Sequence, residues 1–187
     1  DALGAARDAL LAVADEQQAA EAEVFLAYVA WNRGEGQQVR GHLARAEALV
    51  GPSVSASVAR VLATSSRMLV IASEYDEGMA GADAALRMAE QLGLDELRAH
   101  SLTTIGMAKN YVREWSGIED MERALEIALQ VDSAIASSIL NNLAVQAIIA
   151  GDLRRAEELY AEGVSVAERF GDKPGVRFLG GILRFNQ

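Results

Sequence analysis

An all-α fold, a superhelix of about four helical hairpins with flanking half-repeats, is what this sequence predicts, and three observations predict it. Half of the 187 residues are apolar, good helix formers dominate, and only two prolines interrupt the chain. Small residues recur at a fixed interval, with Ala46, Ala85, Ala124 and Gly163 each 39 residues after the last. Turn signals fall between the elements that this interval defines.

The recurring positions have companions. Seven residues before them stand Val39, Gly78, Gly117 and Ala156, modest in size where a neighbouring helix must come close. Three residues before them stand Leu43, Ala82, Met121 and Tyr160, larger on average and able to fill the space beside that contact. Steps of three and four keep these residues on one helical face, the seam of each hairpin's second helix. First helices carry Leu62, Ser65 and Ser66; Leu102, Ile105 and Gly106; and Leu140, Leu143 and Ala144. Leu179, Ile182 and Leu183 continue the series and predict the opening helix of a fifth repeat, while "ALGAARDALLAVA" predicts the closing half of an earlier one.

Within hairpins, Gly34-Glu35, Ser73-Glu74 and Gly151-Asp152 mark the turns, the acid favouring the start of the next helix. Between hairpins, "VGPSVSAS", "LGLDE", "VDSA" and "FGDKPG" stop one helix and cap the next. In the third repeat the first-helix motif arrives one residue late, and its turn "VREWSG" is one residue shorter. Residues 1–187 are thus expected to form a single helical-repeat domain. A chain that opens at Asp1 and ends inside a helical pattern is expected to be a fragment of a longer multidomain protein.

Several classes of function are disfavoured. No cysteine is present, so disulfides, thiolate metal sites and thiol redox chemistry are excluded. A formal charge of −10, spread along the helices, disfavours contact with nucleic acid or an anionic membrane. No run approaches the roughly 18 apolar residues of a membrane span, and no signal region opens the chain, so the cytoplasm is the expected location. The two histidines, His42 and His100, lie in different repeats and are expected at the surface or in a groove; no nucleophile with a base and no ligand cluster appears. No catalytic residue, metal or cofactor is therefore expected, and the surface carboxylates are assigned to ion pairs such as Arg154 with Glu158. Trp115 is expected to plug the end of its hairpin, and Met68, Met79, Met88, Met107 and Met121 to fill core space.

The pattern in "LNNLAVQAIIAGDLRRAEELYAEG" resembles the tetratricopeptide repeat family, whose first helix carries large-x-x-large-small and whose second carries small-x-x-x-aromatic-x-x-small. The resemblance covers nearly the whole chain and is weakest in the second repeat, where Ala82 replaces the usual aromatic. Repeats longer than the usual 34 residues resemble the long variant found in large bacterial transcriptional regulators and nucleotide cyclases.

The resemblance implies a concave groove lined by first helices, with Glu21, Tyr28 and Trp31, Arg60 and Arg67, His100, Thr103 and Asn110, and Asn141 and Val145 projecting into it. Tyr28 and Trp31 would offer flat apolar contact, and Arg60 with Arg67 a fork for a carboxylate or phosphate. Asn141 and Asn142 resemble asparagines with which some members hold a peptide; the basic residues that accompany them there are not reproduced.

The function expected is a non-catalytic scaffold for signalling or transcription regulation. It would bind a protein or peptide, or another domain of the parent chain, in the groove. The alternative is a small-molecule sensor controlling an attached ATPase, cyclase or DNA-binding domain. Self-association through the terminal half-repeats is a third expectation, carried by Phe178, Leu179 and Ile182.

Overall fold

The computed structural model describes residues 2–13, 15–51, 53–173, 175 and 179. The helices are α1 (Ala2–Ala12), α2 (Glu16–Asn32), α3 (Gly36–Val50), α4 (Ala56–Ile71), α5 (Tyr75–Leu92), α6 (Asp95–Tyr111), α7 (Gly117–Gln130), α8 (Ile135–Ile149) and α9 (Leu153–Arg169). No strand occurs among the described residues. The pairs α2–α3, α4–α5, α6–α7 and α8–α9 are the four expected hairpins, and α1 stands where the earlier half-repeat was expected. The chain divides into two compact units, residues 1–97 and 98–187.

In the first unit, the small and branched residues of each hairpin are covered by the next helix. Ala27 and Ala30 of α2 form one apolar cluster with Val39 and Leu43 of α3 and Met68 and Leu69 of α4. Ala20 and Val24 form a second with Ala46 and Val61, against which Leu49 and Val50 pack. A hairpin with one oily face left over thus finds its cover in the helix that follows, which is why such repeats stack. Gly78 of α5 is required by the same closeness: a Cβ there would lie 2.7 Å from Val70 Cγ2 and 3.0 Å from the Ser66 carbonyl.

In the second unit, Met121, Ala124 and Ala156 are buried, as are Leu140, Leu143 and Ala144 on α8. Tyr160, the aromatic of the family pattern, is buried on α9, and burial pushes its phenol pKa up. Gly106 and Gly117 bring α6 and α7 backbone to backbone: a Cβ on either would strike the other's carbonyl oxygen. Lys109 and Asp120 bridge the same two helices at 2.8 Å. Leu179 is buried, and its Cδ1 lies 3.1 Å from where a Cβ on Gly163 would stand. Phe178, Ile182 and Leu183, the rest of the expected fifth-repeat helix, fall outside the described residues.

The hairpin turns follow the repeat. Gly34, Ser73, Arg113 and Gly151 each take a positive φ at the corresponding place, and Arg113 is displaced by the shortened third turn. Asp152 caps α9 by accepting from the Arg155 amide at 2.9 Å. Glu35 and Glu74 make no such bond, their longer side chains leaving the helix starts without a side-chain cap. Ser73 is exposed, and its φ of 68° is disfavoured for a residue with a Cβ. Ser73→Gly removes a clash of about 1–2 kcal/mol at an entropic cost of about 0.5–1 kcal/mol. A rise of about 1–4 °C in the thermal midpoint is expected, and calorimetry of the two chains checks it.

Candidate interaction cleft

Between α2 and α4 of the first unit lies an open cleft of about 380 Å³. Its residues come at helical steps: Glu21, Val24, Phe25 and Tyr28 from α2, and Arg60, Val61, Thr64 and Met68 from α4. Val24, Val61 and Met68 are buried and make the floor. Phe25 and Tyr28 stay 61% and 51% exposed, so the walls are apolar but wet. The Tyr28 ring sits 6.1 Å from that of Trp31, extending the aromatic wall along α2. On the rim, Arg60 Nε lies 3.3 Å from Glu21 Oε1, both side chains being largely exposed.

Behind this wall, α2 is held by a buried acid. Glu23, only 1% exposed, receives Arg7 Nη1 of α1 at 3.1 Å and Arg45 Nε of α3 at 3.1 Å, and its other oxygen lies 2.6 Å from His42 Nδ1. Burial alone would raise the Glu23 pKa, but the hydrogen bonds from His42, Arg45 and Arg7 outweigh it and hold the carboxyl below its usual range. His42 is thus a structural partner of Glu23, not a groove residue. An acid inside the apolar run "AAEAEVFLAY" was the signal for this cluster.

Of the residues expected in a groove, Glu21, Tyr28 and Arg60 line the cleft and Trp31 adjoins it. Arg67 is half-buried, engaged with other groups, and does not line the cleft, so the expected fork with Arg60 is not assembled there. Phe25, Val24, Val61, Thr64 and Met68 were missed. Phe25 lies three residues before Tyr28 and four after Glu21, on the same helical face, which was the available signal.

In the second unit, Thr103 is a correction: it is wholly buried, and its hydroxyl donates to the Ala99 carbonyl at 2.7 Å, back-bonding within α6. His100 and Asn110 are half-buried. Both polar atoms of the Asn110 amide are buried without a hydrogen-bond partner. Asn141 lines a small hollow with Ser137, Ser138 and Asp172, and Val145 is exposed. Trp115, expected as a plug, is instead 62% exposed.

The sequence matches no protein-family model and no curated protein. Solved structures do match. The apo form of RapI is 19% identical with a TM-score of 0.70, over 95% of this chain and 66% of that one. Aspartyl phosphate phosphatase F from Bacillus subtilis is 15% identical with a TM-score of 0.72, over 95% and 48%. Pseudomonas aeruginosa PilF is 20% identical with a TM-score of 0.55, over 98% and 93%. The chain therefore has the tetratricopeptide-like helical-repeat fold of these proteins. It spans just under two thirds of RapI and about half of the phosphatase. No helix among the described residues is long and apolar enough to cross a membrane.

Proposed function

We propose that the chain is a non-catalytic protein-interaction module, the regulatory part of a larger bacterial signalling or transcriptional regulator, which holds a segment of a partner protein in the α2–α4 cleft. The observation that carries this is the cleft itself: a buried apolar floor between half-exposed aromatic walls, with an arginine on the rim. An apolar side chain of the partner would fill the floor, and a neighbouring carboxylate would compete with Glu21 for Arg60. The partner is a protein, a peptide or another domain of the parent chain.

The openness of the cleft favours a segment over a metabolite. A small-molecule site buries about 70–90% of its ligand, whereas Phe25 and Tyr28 leave this cleft open to solvent. Likeness to an aspartyl phosphate phosphatase supports no such activity here, since it rests on fold at 15% identity.

Peptides selected from a displayed random library against this chain test the proposal. They are expected to carry an apolar residue beside an acidic one and to lose at least about tenfold in affinity for a Phe25→Ala/Tyr28→Ala chain with unchanged circular dichroism. Equal binding to both chains would overturn the assignment of the cleft.

A further inference from the structure

Glu23 stands where the repeat calls for a core leucine. It lies one interval of 39 residues before Leu62 and three before Leu140, which is wholly buried, and the one-residue offset of the third repeat puts Leu102 at the same place. A buried ionic group holds a fold no better than apolar residues of the same volume. This one also contains a conflict. His42 Nδ1 lies 2.6 Å from Glu23 Oε2 and 2.7 Å from Arg45 Nη2, and a single ring nitrogen serves either the acceptor or the donor, not both. Stability is therefore a poor reason for an acid at this position, and what it holds is a better one.

It holds α1. Among the α1 residues whose exposure is described, Gly4, Arg7 and Leu10 are half-buried and none is buried. The two apolar clusters that join α2, α3 and α4 contain no α1 residue. Arg7 makes the one side-chain hydrogen bond from the described part of α1 to another helix, Nη1 to Glu23 Oε1 at 3.1 Å, while its Nε and Nη2 turn back to Asp8 of α1 itself. Beside this bond a hollow of about 500 Å³ separates Leu11 of α1 from Ala48 and Leu49 of α3, so the apolar cover there is loose.

We propose that α1 is an acid-releasable arm: when Glu23 takes up a proton, Arg7 is freed and α1 leaves the first unit while α2 to α5 stay folded. Glu23 is faced by Arg7 from α1 and by His42 and Arg45 from α3, whereas α4 turns Arg60 to Glu21. A neutral carboxyl among them leaves two guanidinium groups and an imidazole with Asp8 as the remaining acid of the cluster. Asp8 belongs to α1, so it departs with Arg7 and does nothing to keep the arm docked. The direction with pH follows from the same hydrogen bonds, which hold the Glu23 carboxyl below its usual range. Docking is complete at neutral pH and is lost as pH falls through that depressed value. Once free, an 11-residue segment does not keep its helix in water, so release also melts α1. The arm is independent of what the α2–α4 cleft binds.

Because the chain has no cysteine, nitroxide pairs can be placed at exposed alanines and their separation read by pulsed electron resonance. Ala9→Cys/Ala44→Cys joins α1 to α3, and Ala44→Cys/Ala80→Cys joins α3 to α5 as the internal reference. The first pair should give one narrow distance at about pH 7.5 and a longer, broad distribution at about pH 3.5, below the ordinary carboxylate range. The reference pair should not change. In Arg7→Leu, and separately in Glu23→Gln, the α1–α3 distribution should be the same at both pH values, because the tie or its titrating group is gone. An unchanged α1–α3 distance in the parent chain would overturn the proposal, as would a change in both pairs together or an acid response that persists in either variant.

Discussion

Alanine at Gly117 is expected to lower the thermal midpoint by about 6–12 °C, and alanine at Gly106 to do nearly the same. Each added methyl would strike the carbonyl oxygen of the other glycine, and at Gly117 also the Asn110 amide, 2.6 Å away. A flexible side chain could yield to such a contact; two helical backbones cannot, so α6 and α7 must separate. Overpacking of this kind costs about 1–3 kcal/mol and more where backbone must move, which outweighs the roughly 1 kcal/mol that alanine gains over glycine in a helix. With backbone on both sides the gross cost is put at about 4 kcal/mol, beyond the upper end of that range, and a net loss of about 3 kcal/mol follows. Gly36→Ala is the control: no atom lies within 4 Å of its Cβ position, and its φ is not positive. It should stabilise by about 0.4–1 kcal/mol. Denaturant unfolding of the three variants checks the contrast, and equal stabilities for Gly117→Ala and Gly36→Ala would mean that α6 and α7 do not meet at these glycines.

Glu23→Ala is the second large effect. The substitution removes the buried carboxylate that His42, Arg7 and Arg45 share, leaving Arg7 with Asp8 alone and His42 with Arg45 alone. Removing one member of a buried ionic group costs about 3–5 kcal/mol, so a fall of roughly 6–15 °C is expected, with α1 losing its polar tie to α2. The pH dependence follows from the lowered Glu23 pKa. Its contribution is fully present above the ordinary carboxylate range and is lost as pH falls through the depressed folded value. The stability gap between the parent chain and Glu23→Gln should therefore hold from about pH 7 to pH 5 and shrink below about pH 4.5. A gap that widens on acidification would contradict the cluster as described.

The repeat was legible because it rests on steric size. Val39, Gly78, Gly117 and Ala156 recur at one interval since helices touch there, and all four are buried. The positive-φ turn residues were legible at Gly34 and Gly151 and could be carried to Ser73 by register. Site residues were less so. Tyr28 and Arg60 were reached by position within a first helix, but the same rule placed Thr103 in a groove, where its back-bond to Ala99 lets a hydroxyl be buried. Position alone does not say how deeply a neighbour covers a residue. Trp115 shows the converse: a large apolar side chain in a short turn suggested cover, but it stays largely exposed. The Glu23 cluster needed partners 16, 19 and 22 residues away, a pairing that no local spacing announces.

The cleft assignment meets its most direct measurement in the fluorescence of Trp31, isolated by Trp115→Phe in a chain whose two tryptophans are at these positions. Its indole adjoins Tyr28 on the cleft wall. Titration with a selected peptide should shift its emission saturably, with the same midpoint as binding measured by calorimetry, and Phe25→Ala should weaken both together. Calorimetric binding that leaves Trp31 emission unmoved, or a shift indifferent to Phe25, would place the partner elsewhere on the molecule.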